Sequence, residues 1–241
     1  MKVARIVMQL PFGRDDFNDA CKRRRQVERP VIFAKKLSAT YRKSRRRYRA
    51  RVKALLSKAV SCGADVVVFP ACALIYETPA ELLEYTQGIS GFTLLAAGAL
   101  DLRSKKWPEH IVAFEGARRL PTIDKGPYAF DLAFGRCALA ISSSVGKLAE
   151  ERWVVESPAK PLLVLDMGHQ QYTGRYLFTL SRVQKLAAPR SRKRFVVLAW
   201  WRWSGGSSTG RWAFPSRPAW SPEGGRLEEK DGDFIDFFDV W

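Results

Sequence analysis

Apolar positions alternate from Val3 to Leu10, which predicts a strand broken at Pro11-Phe12-Gly13. Residues 14–30 are polar and charged. From Tyr41 the apolar positions Tyr41, Tyr48, Val52, Leu55, Leu56, Ala59 and Val60 recur mostly at spacings of three, four and seven. That periodicity predicts a helix with one buried stripe, and Lys and Arg fill its other positions. Gly63 ends it. Asp65–Phe69 is continuous and β-branched, as a buried strand should be. Thr78 followed by Pro79 and Glu81 predicts an N-cap and a short helix running to about Gly88.

Further on, Phe92–Ala97 reads as a strand. His110–Phe114 and Leu120–Asp124 read as paired strands around Glu115-Gly116. Tyr128–Phe130 and Arg136–Ile141 repeat that pattern around Phe134-Gly135. Leu148–Val155 and Tyr172–Ala187 read as helices, and Pro161–Asp166 and Phe195–Trp201 as strands. A Gly/Ser loop, short strands and a closing segment, Asp233–Val240, follow. Helices and strands alternate early and strands dominate late, so the fold class is α/β with a substantial antiparallel part. There is no internal repeat.

Composition narrows this. A chain of 241 residues with 46% hydrophobic residues can bury a large core. Cys21, Cys62, Cys72 and Cys137 form no CxxC pair, which disfavours a zinc site or a disulfide framework and suits a reducing, cytoplasmic setting. No apolar run suggests a signal peptide or a membrane span, so no membrane partner is expected. Six of the eight tryptophans fall after residue 199, where core and subunit-interface packing account for them best. Charge is uneven. Residues 21–58 hold sixteen Lys or Arg against one acid, Glu28, so all but +2 of the net +17 lies there. Such a segment is an electrostatic footprint for a polyanion or acidic surface, or else a solvated helix face.

The most specific motif is Gly63-Ala64-Asp65-Val66-Val67-Val68-Phe69-Pro70-Ala71-Cys72-Ala73-Leu74. It resembles the general-base strand of the nitrilase (carbon–nitrogen hydrolase) superfamily, which ends in Phe-Pro-Glu. Ile6-Val7-Met8-Gln9, with Asn18 beyond it, is similar to the superfamily's opening strand. Phe134-Gly135-Arg136-Cys137-Ala138-Leu139-Ala140-Ile141 is similar to the strand that leads to the nucleophile. Ser207 and Pro222-Glu223-Gly224-Gly225 match later turns. The resemblance implies a nitrilase-like four-layer α-β-β-α sandwich. Residues 1–241 then form one domain, with a basic insertion at about 19–48 as an added N-terminal arm or helix. It also implies pairing into a homo-oligomer, or a place in a larger complex.

The superfamily's chemistry uses a Cys thiolate as nucleophile, a Glu that moves the proton and a Lys that steadies the oxyanion. The matched positions here are Ser142 for the Cys and Ala71 for the Glu. Lys125 is favoured for the Lys, and an alternative register places Ala117 there. A methyl side chain cannot move a proton, and a serine hydroxyl without its base is a weak nucleophile. Cys137 lies five residues before Ser142, an odd separation that puts the two on opposite faces of a strand. Cys72 points away from Ala71 for the same reason. Glu77, Glu115 and His169 are possible surrogate bases, though no spacing places them beside Ser142. The expectation is a catalytically degenerate protein without metal or cofactor, acting as a binding or assembly module. The alternatives are a divergent amidase using Ser142 and a structural subunit of a larger complex.

The expected binding residues are Lys22, Arg23, Arg24, Arg25, Arg42, Lys43, Arg45, Arg46, Arg47 and Arg49. Tyr41 and Tyr48 are interleaved with them, to stack on bases or to face the core. No zinc-finger, RNA-recognition or helix-turn-helix signature accompanies the cations. Contact with nucleic acid would therefore be to phosphate rather than base, through bidentate arginine forks. An acidic protein is the other expected partner.

Overall fold

The computed structural model describes residues 1–22, 28–104, 109–121, 128–133, 135–141, 162–168, 194–199, 201–204, 226–228 and 232–239. The chain begins with β1 (Lys2–Gly13) and three helices, α1 (Arg14–Cys21), α2 (Arg29–Lys43) and α3 (Arg45–Ser61). Next come β2 (Val66–Val68), β3 (Leu74–Tyr76), α4 (Pro79–Glu84), β4 (Leu94–Asp101), β5 (Glu109–Glu115) and β6 (Arg118–Arg119). The remaining strands are β7 (Tyr128–Leu132), β8 (Gly135–Ile141), β9 (Leu162–Met167), β10 (Arg194–Ala199), β11 (Trp201–Ser204), β12 (Arg226–Glu228) and β13 (Phe234–Asp239).

Among the described residues these strands form two sheets. One has the order β12-β13-β1-β2-β4-β5-β6, with β11 also paired to β1 and β3 to β4. The other has the order β10-β9-β8-β7. Strands β1, β2 and β4 run parallel, as do β8, β9 and β10, while β5, β7 and β13 run antiparallel to their neighbours. The mixed α/β class is as the sequence predicts.

Alternation along each strand assigns its two faces. Val3, Val66, Val68, Leu94, Ala96, Ile111 and Ala113 of the first sheet share a core with Cys137, Leu139, Ile141, Leu163, Leu165 and Met167 of the second. On the other face of the first sheet, Ala4, Ile6, Met8, Val67, Leu95 and Val112 share a core with the stripes of α2 and α3. The described residues therefore build α-β-β, three of the four expected layers. The segments predicted as the outer helices, Leu148–Val155 and Tyr172–Ala187, lie outside the described residues.

The sequence reading needs adjustment at several places. Pro11 does not stop β1. The strand continues to Gly13, and its pairing with β11 changes register between Gln9 and Gly13, so the proline sits at an irregularity where no ladder hydrogen bond is asked of it. The single helix expected from Tyr41 is two helices, broken at Ser44 (φ −144°, ψ 45°). Helix α2 fills much of the basic insertion and is not a loose arm. Phe33, Ala34, Leu37, Ser38 and Tyr41 are buried along one stripe. Phe33 packs edge-on to Phe12, Phe17 and Trp201, at centroid distances of 5.8, 6.2 and 6.3 Å. At the end of α3 Gly63 does act as the stop. Its φ is +83°, and the Gly63 and Ala64 amides donate to the Val60 and Ala59 carbonyls at 2.8 and 3.1 Å. Thr78 makes no side-chain cap on α4; the Glu81 carboxylate instead accepts from the Glu77 amide at 2.9 Å. The segment Phe195–Trp201 divides, with Ala199 ending β10 in one sheet and Trp201 beginning β11 in the other.

One charged pair lies buried in the first sheet. Arg5 on β1 faces Asp236 on β13, and its Nε and Nη2 both donate to Asp236 Oδ2, at 2.9 and 2.7 Å. The guanidinium also stacks 4.9 Å over the Phe238 ring. Removing one member strands a buried charge, which typically costs about 3–5 kcal/mol. Asp236→Ala is expected to lower stability by that amount in a urea melt, while Lys22→Ala, at an exposed pair with Asp19, changes it by less than about 0.5 kcal/mol.

Candidate functional site

The carboxyl ends of β2, β4 and β9 meet at one edge of the sandwich, where the resemblance places a catalytic centre. Ala71 lies here, completely buried, in the same core as Ile141 and Met167. Its main chain is held at both ends. Its N–H donates to the Gly168 carbonyl at 3.1 Å, and its carbonyl accepts from the indole Nε1 of Trp201 at 2.6 Å. Gly168 in turn donates to the Ala199 carbonyl at 2.7 Å. These bonds tie β2 to β9, β10 and β11. Gly98 on β4 passes directly beneath, so close that a Cβ there would lie 2.5 Å from Ala71 Cα. The base position of the resemblance is thus filled by a methyl group and packed main chain.

Cys72 follows with φ +56°, a left-handed conformation rare outside glycine. The turn sends its side chain to the helix-side core while Ala71 faces the other sheet. Its thiol contacts Glu109 Oε1 at 3.5 Å, and burial with the nearby carboxylate raises its pKa well above the usual range. Cys137 is equally buried in the inter-sheet core, and burial pushes its thiol up too. Neither is a poised thiolate. His110 is buried against Tyr76, with its Nε2 2.9 Å from the Tyr76 hydroxyl.

Of the surrogate bases, Glu77 pairs with Arg45 at 3.0 Å. Glu115 lies at the opposite edge, paired in register with Leu94 at the start of β4, and forms an ion pair with Arg118. Ala117 is exposed in the turn beside it. Ser142, Lys125 and His169 lie outside the described residues, as do Arg23, Arg24 and Arg25.

The sequence reading missed Asp166. It is completely buried on β9, in register with Ala140 on β8, two residues before Ser142 in the chain. Burial and the charge of Glu109 raise its carboxyl well above the usual Asp range. The signal available was an acid at the end of an otherwise apolar run, Leu162-Leu163-Val164-Leu165-Asp166. Among the described residues no cluster of three or more His, Cys, Asp or Glu could hold a metal ion.

The cations divide into two groups. Arg45 pairs with Glu77 and Glu81, and Arg49 with Glu81 and Glu84, so these two expected binding residues pin α3 to α4. Tyr41 and Tyr48 are buried edge-to-face, with ring centroids 5.4 Å apart, and the Tyr48 hydroxyl donates to the Ala73 carbonyl at 3.0 Å. They face the core and are not available to stack on bases. Lys22, Arg42, Lys43, Arg46 and Arg47 are exposed. No helix among the described residues is long and apolar enough to cross a membrane.

No family model matches the sequence, and no curated protein does. Among solved structures the chain is similar to a nitrilase-superfamily amidase from Nesterenkonia AN1, solved as a cysteine-to-alanine variant. That likeness has 11% identity, covers 83% of this chain and 76% of the other, and has a TM-score of 0.47. A second structure of an amidase from Nesterenkonia sp. gives 10% identity with the same coverages and TM-score. A glutamine-dependent NAD+ synthetase from Acinetobacter baumannii gives 11% identity over 77% of this chain and 36% of that one, with a TM-score of 0.45.

Two tests follow from the packing at Ala71. Gly98→Ala forces a methyl into main chain that cannot yield, at a typical overpacking cost of about 1–3 kcal/mol. Trp201→Phe removes the donor to a buried carbonyl, which costs at least a similar amount. Both are expected to lower the melting temperature, and an unchanged melt for both would show that the edge is loosely packed. Asp166 sets a pH dependence. A carboxyl whose folded pKa is raised is neutral in the fold and contributes fully below the ordinary value of about 4. That contribution is lost as pH rises toward the folded pKa. Asp166→Asn cannot ionise, so the wild-type urea midpoint is expected to fall relative to the variant as pH rises above about 4. Parallel curves would contradict a raised carboxyl pKa at Asp166.

Proposed function

We propose that this chain is a carbon–nitrogen hydrolase-like protein that has lost its hydrolytic chemistry and serves as a binding module for a polyanion, nucleic acid first. The observation that carries the first half is Ala71. The position that would move the proton holds a buried methyl group, on main chain that is hydrogen-bonded at both ends and has Gly98 packed beneath it. Glu77 and Glu115 are engaged elsewhere.

The second half rests on the exposed Arg42, Lys43, Arg46 and Arg47 around the α2–α3 junction. Helix α2 is docked by Phe33 and its neighbours, and α3 is pinned to α4, so these cations stand on a firm base. Lys22, and Arg23, Arg24 and Arg25 next to it in sequence, extend the set. Rigid placement lowers the entropic cost of binding a phosphate chain. An acidic protein surface is the competing partner.

A second reading has one observation in its favour. Asp166 is a buried acid, its carboxyl pKa raised by burial and by the charge of Glu109, on the strand beside the one leading to Ser142. A divergent amidase could use it with Ser142 and Lys125.

Simple amides and nitriles distinguish these readings. The proposal expects hydrolysis no faster than the uncatalysed background. Turnover that Ser142→Ala and Asp166→Asn both abolish would establish the amidase reading instead. For the binding half, the measurement is anisotropy of a labelled single-stranded oligonucleotide across several salt concentrations. Arg42→Gln/Lys43→Gln/Arg46→Gln is expected to weaken binding for all sequences alike. It is also expected to flatten the logarithmic salt slope by up to about 0.7 per lost phosphate contact, with the melt unchanged. Equal affinity and slope in the folded variant would remove nucleic acid as the partner of this surface.

A further inference from the structure

The cations of α3 differ in what they already hold. Arg45 and Arg49 are bonded to Glu77, Glu81 and Glu84. Arg51, at the cleft between α2, α3 and the end of β1, is taken by Asp233 and the Gln9 carbonyl. These guanidinium groups are engaged. Among the described residues the side chains of Arg46, Lys53 and Lys58 make no hydrogen bond and no ion pair. Helix pitch sets where these three stand. Tyr48, Val52, Leu55, Leu56 and Ala59 face the core. The opposite line is Ala50, Ala54, Ser57 and Ser61, all exposed. Arg46 and Lys53, two turns apart, flank this line on one side, and Lys58 flanks it on the other. The two flanks are separated by about the width of a helix with its side chains, roughly 10–12 Å.

The cations fix the sign of a partner, and the small side chains between them let a bulky one approach. A second copy is the wrong partner, because its matching face has the same charge. A membrane surface calls for apolar anchors, and no large apolar side chain is exposed on α3. A single nucleic-acid strand is usually held by exposed aromatic rings that stack on its bases. Among the described residues this face has none. Tyr41 and Tyr48 are buried, and Tyr128, which is exposed, lies on β7 of the other sheet. A duplex needs no such platform, because its bases are already stacked on one another. Its phosphates stand at fixed places on two strands, across a major groove about 12 Å wide, close to the separation of the two flanks. It also carries the denser charge, about one per 1.7 Å of axis.

We infer that the outer face of α3 docks on double-stranded DNA, with Arg46 and Lys53 on the phosphates of one strand and Lys58 on those of the other. This rests on the nucleic-acid reading above. It adds the form of the nucleic acid, and it extends the contact from the Ser44 junction along α3.

The test is anisotropy of a labelled DNA duplex, and of each of its single strands, titrated with the full chain at several salt concentrations. The duplex is expected to bind at least about tenfold more tightly than either strand, with the steeper logarithmic salt slope. Lys53→Gln/Lys58→Gln is expected to weaken the duplex at least about fivefold and to flatten its slope by up to about 1.8, with the melt unchanged. Lys53→Arg/Lys58→Arg keeps both charges and should bind as the wild type does. Arg103→Gln/Arg118→Gln removes the same charge from exposed sites beside β4 and on β6, and is expected to change affinity less than about twofold. Equal effects of the two Gln variants would assign the binding to diffuse charge and overturn the docking face. Competition by polyglutamate as strong as that by unlabelled duplex would assign the face to an acidic protein and overturn it too. Two further outcomes separate this inference from the reading beneath it. If neither strand nor duplex binds, the nucleic-acid reading falls and the inference with it. If single strands bind as tightly as the duplex, and Arg42→Gln/Lys43→Gln/Arg46→Gln weakens them, that reading stands and the duplex assignment alone is wrong.

Discussion

The main chain of Ala71 is where the two sheets are joined. Its amide reaches the Gly168 carbonyl beyond β9, its carbonyl receives the Trp201 indole at the start of β11, and Gly168 is bonded to the end of β10. The rest of the carboxyl edge depends on this knot. Gly98 must lack a side chain so that β4 can pass beneath it. Cys72 must turn through a left-handed conformation to leave it, and that turn sends the thiol and the following chain to the helix side. The strand ends can converge because the residue at their meeting point is small and uncharged. A carboxylate in the same place would need hydrogen-bond donors or a cation to offset its burial.

The helical layer shows the same economy in its charges. Three arginines open α3, at the helix end where cations are disfavoured. Arg45 is offset by Glu77 and Glu81, and Arg49, one turn on, by Glu81 and Glu84, so part of the basic segment is a structural weld between α3 and α4. Arg51 is a second weld, to Asp233 at the threshold of β13. The exposed remainder lies around Ser44, at the break between the helices.

Function on this scaffold divides by face. Among the described residues the inter-sheet edge is packed around Ala71 and holds a buried acid, Asp166. The helix side carries the exposed cations of α2 and α3.

Much of this was legible along the chain. An unbroken β-branched run announced β2, because a strand buried on both faces must be apolar throughout. Gly63 announced the end of α3, because only glycine takes that φ freely. Cys72 and Ala71 do lie on opposite sides, but a left-handed turn at Cys72 puts them there and not the pleat of a strand. The absence of an acid at Ala71 was likewise plain from residue identity. Other features were settled only by contacts between distant residues. Helix α2 had its stripe, Phe33, Leu37 and Tyr41, written in the sequence, but the cations between those positions hid it until the aromatic cluster with Phe12, Phe17 and Trp201 showed what the stripe packs against. Which arginines weld and which face solvent could not be read from charge density, because it depends on where Glu77, Glu81, Glu84 and Asp233 arrive in space. The burial of Asp166 and the cleft beside Arg51 are set in the same way, by strands and helices far apart in sequence. Periodicity reports which face of an element is apolar; only the tertiary fold decides what that face, and the charges around it, will meet.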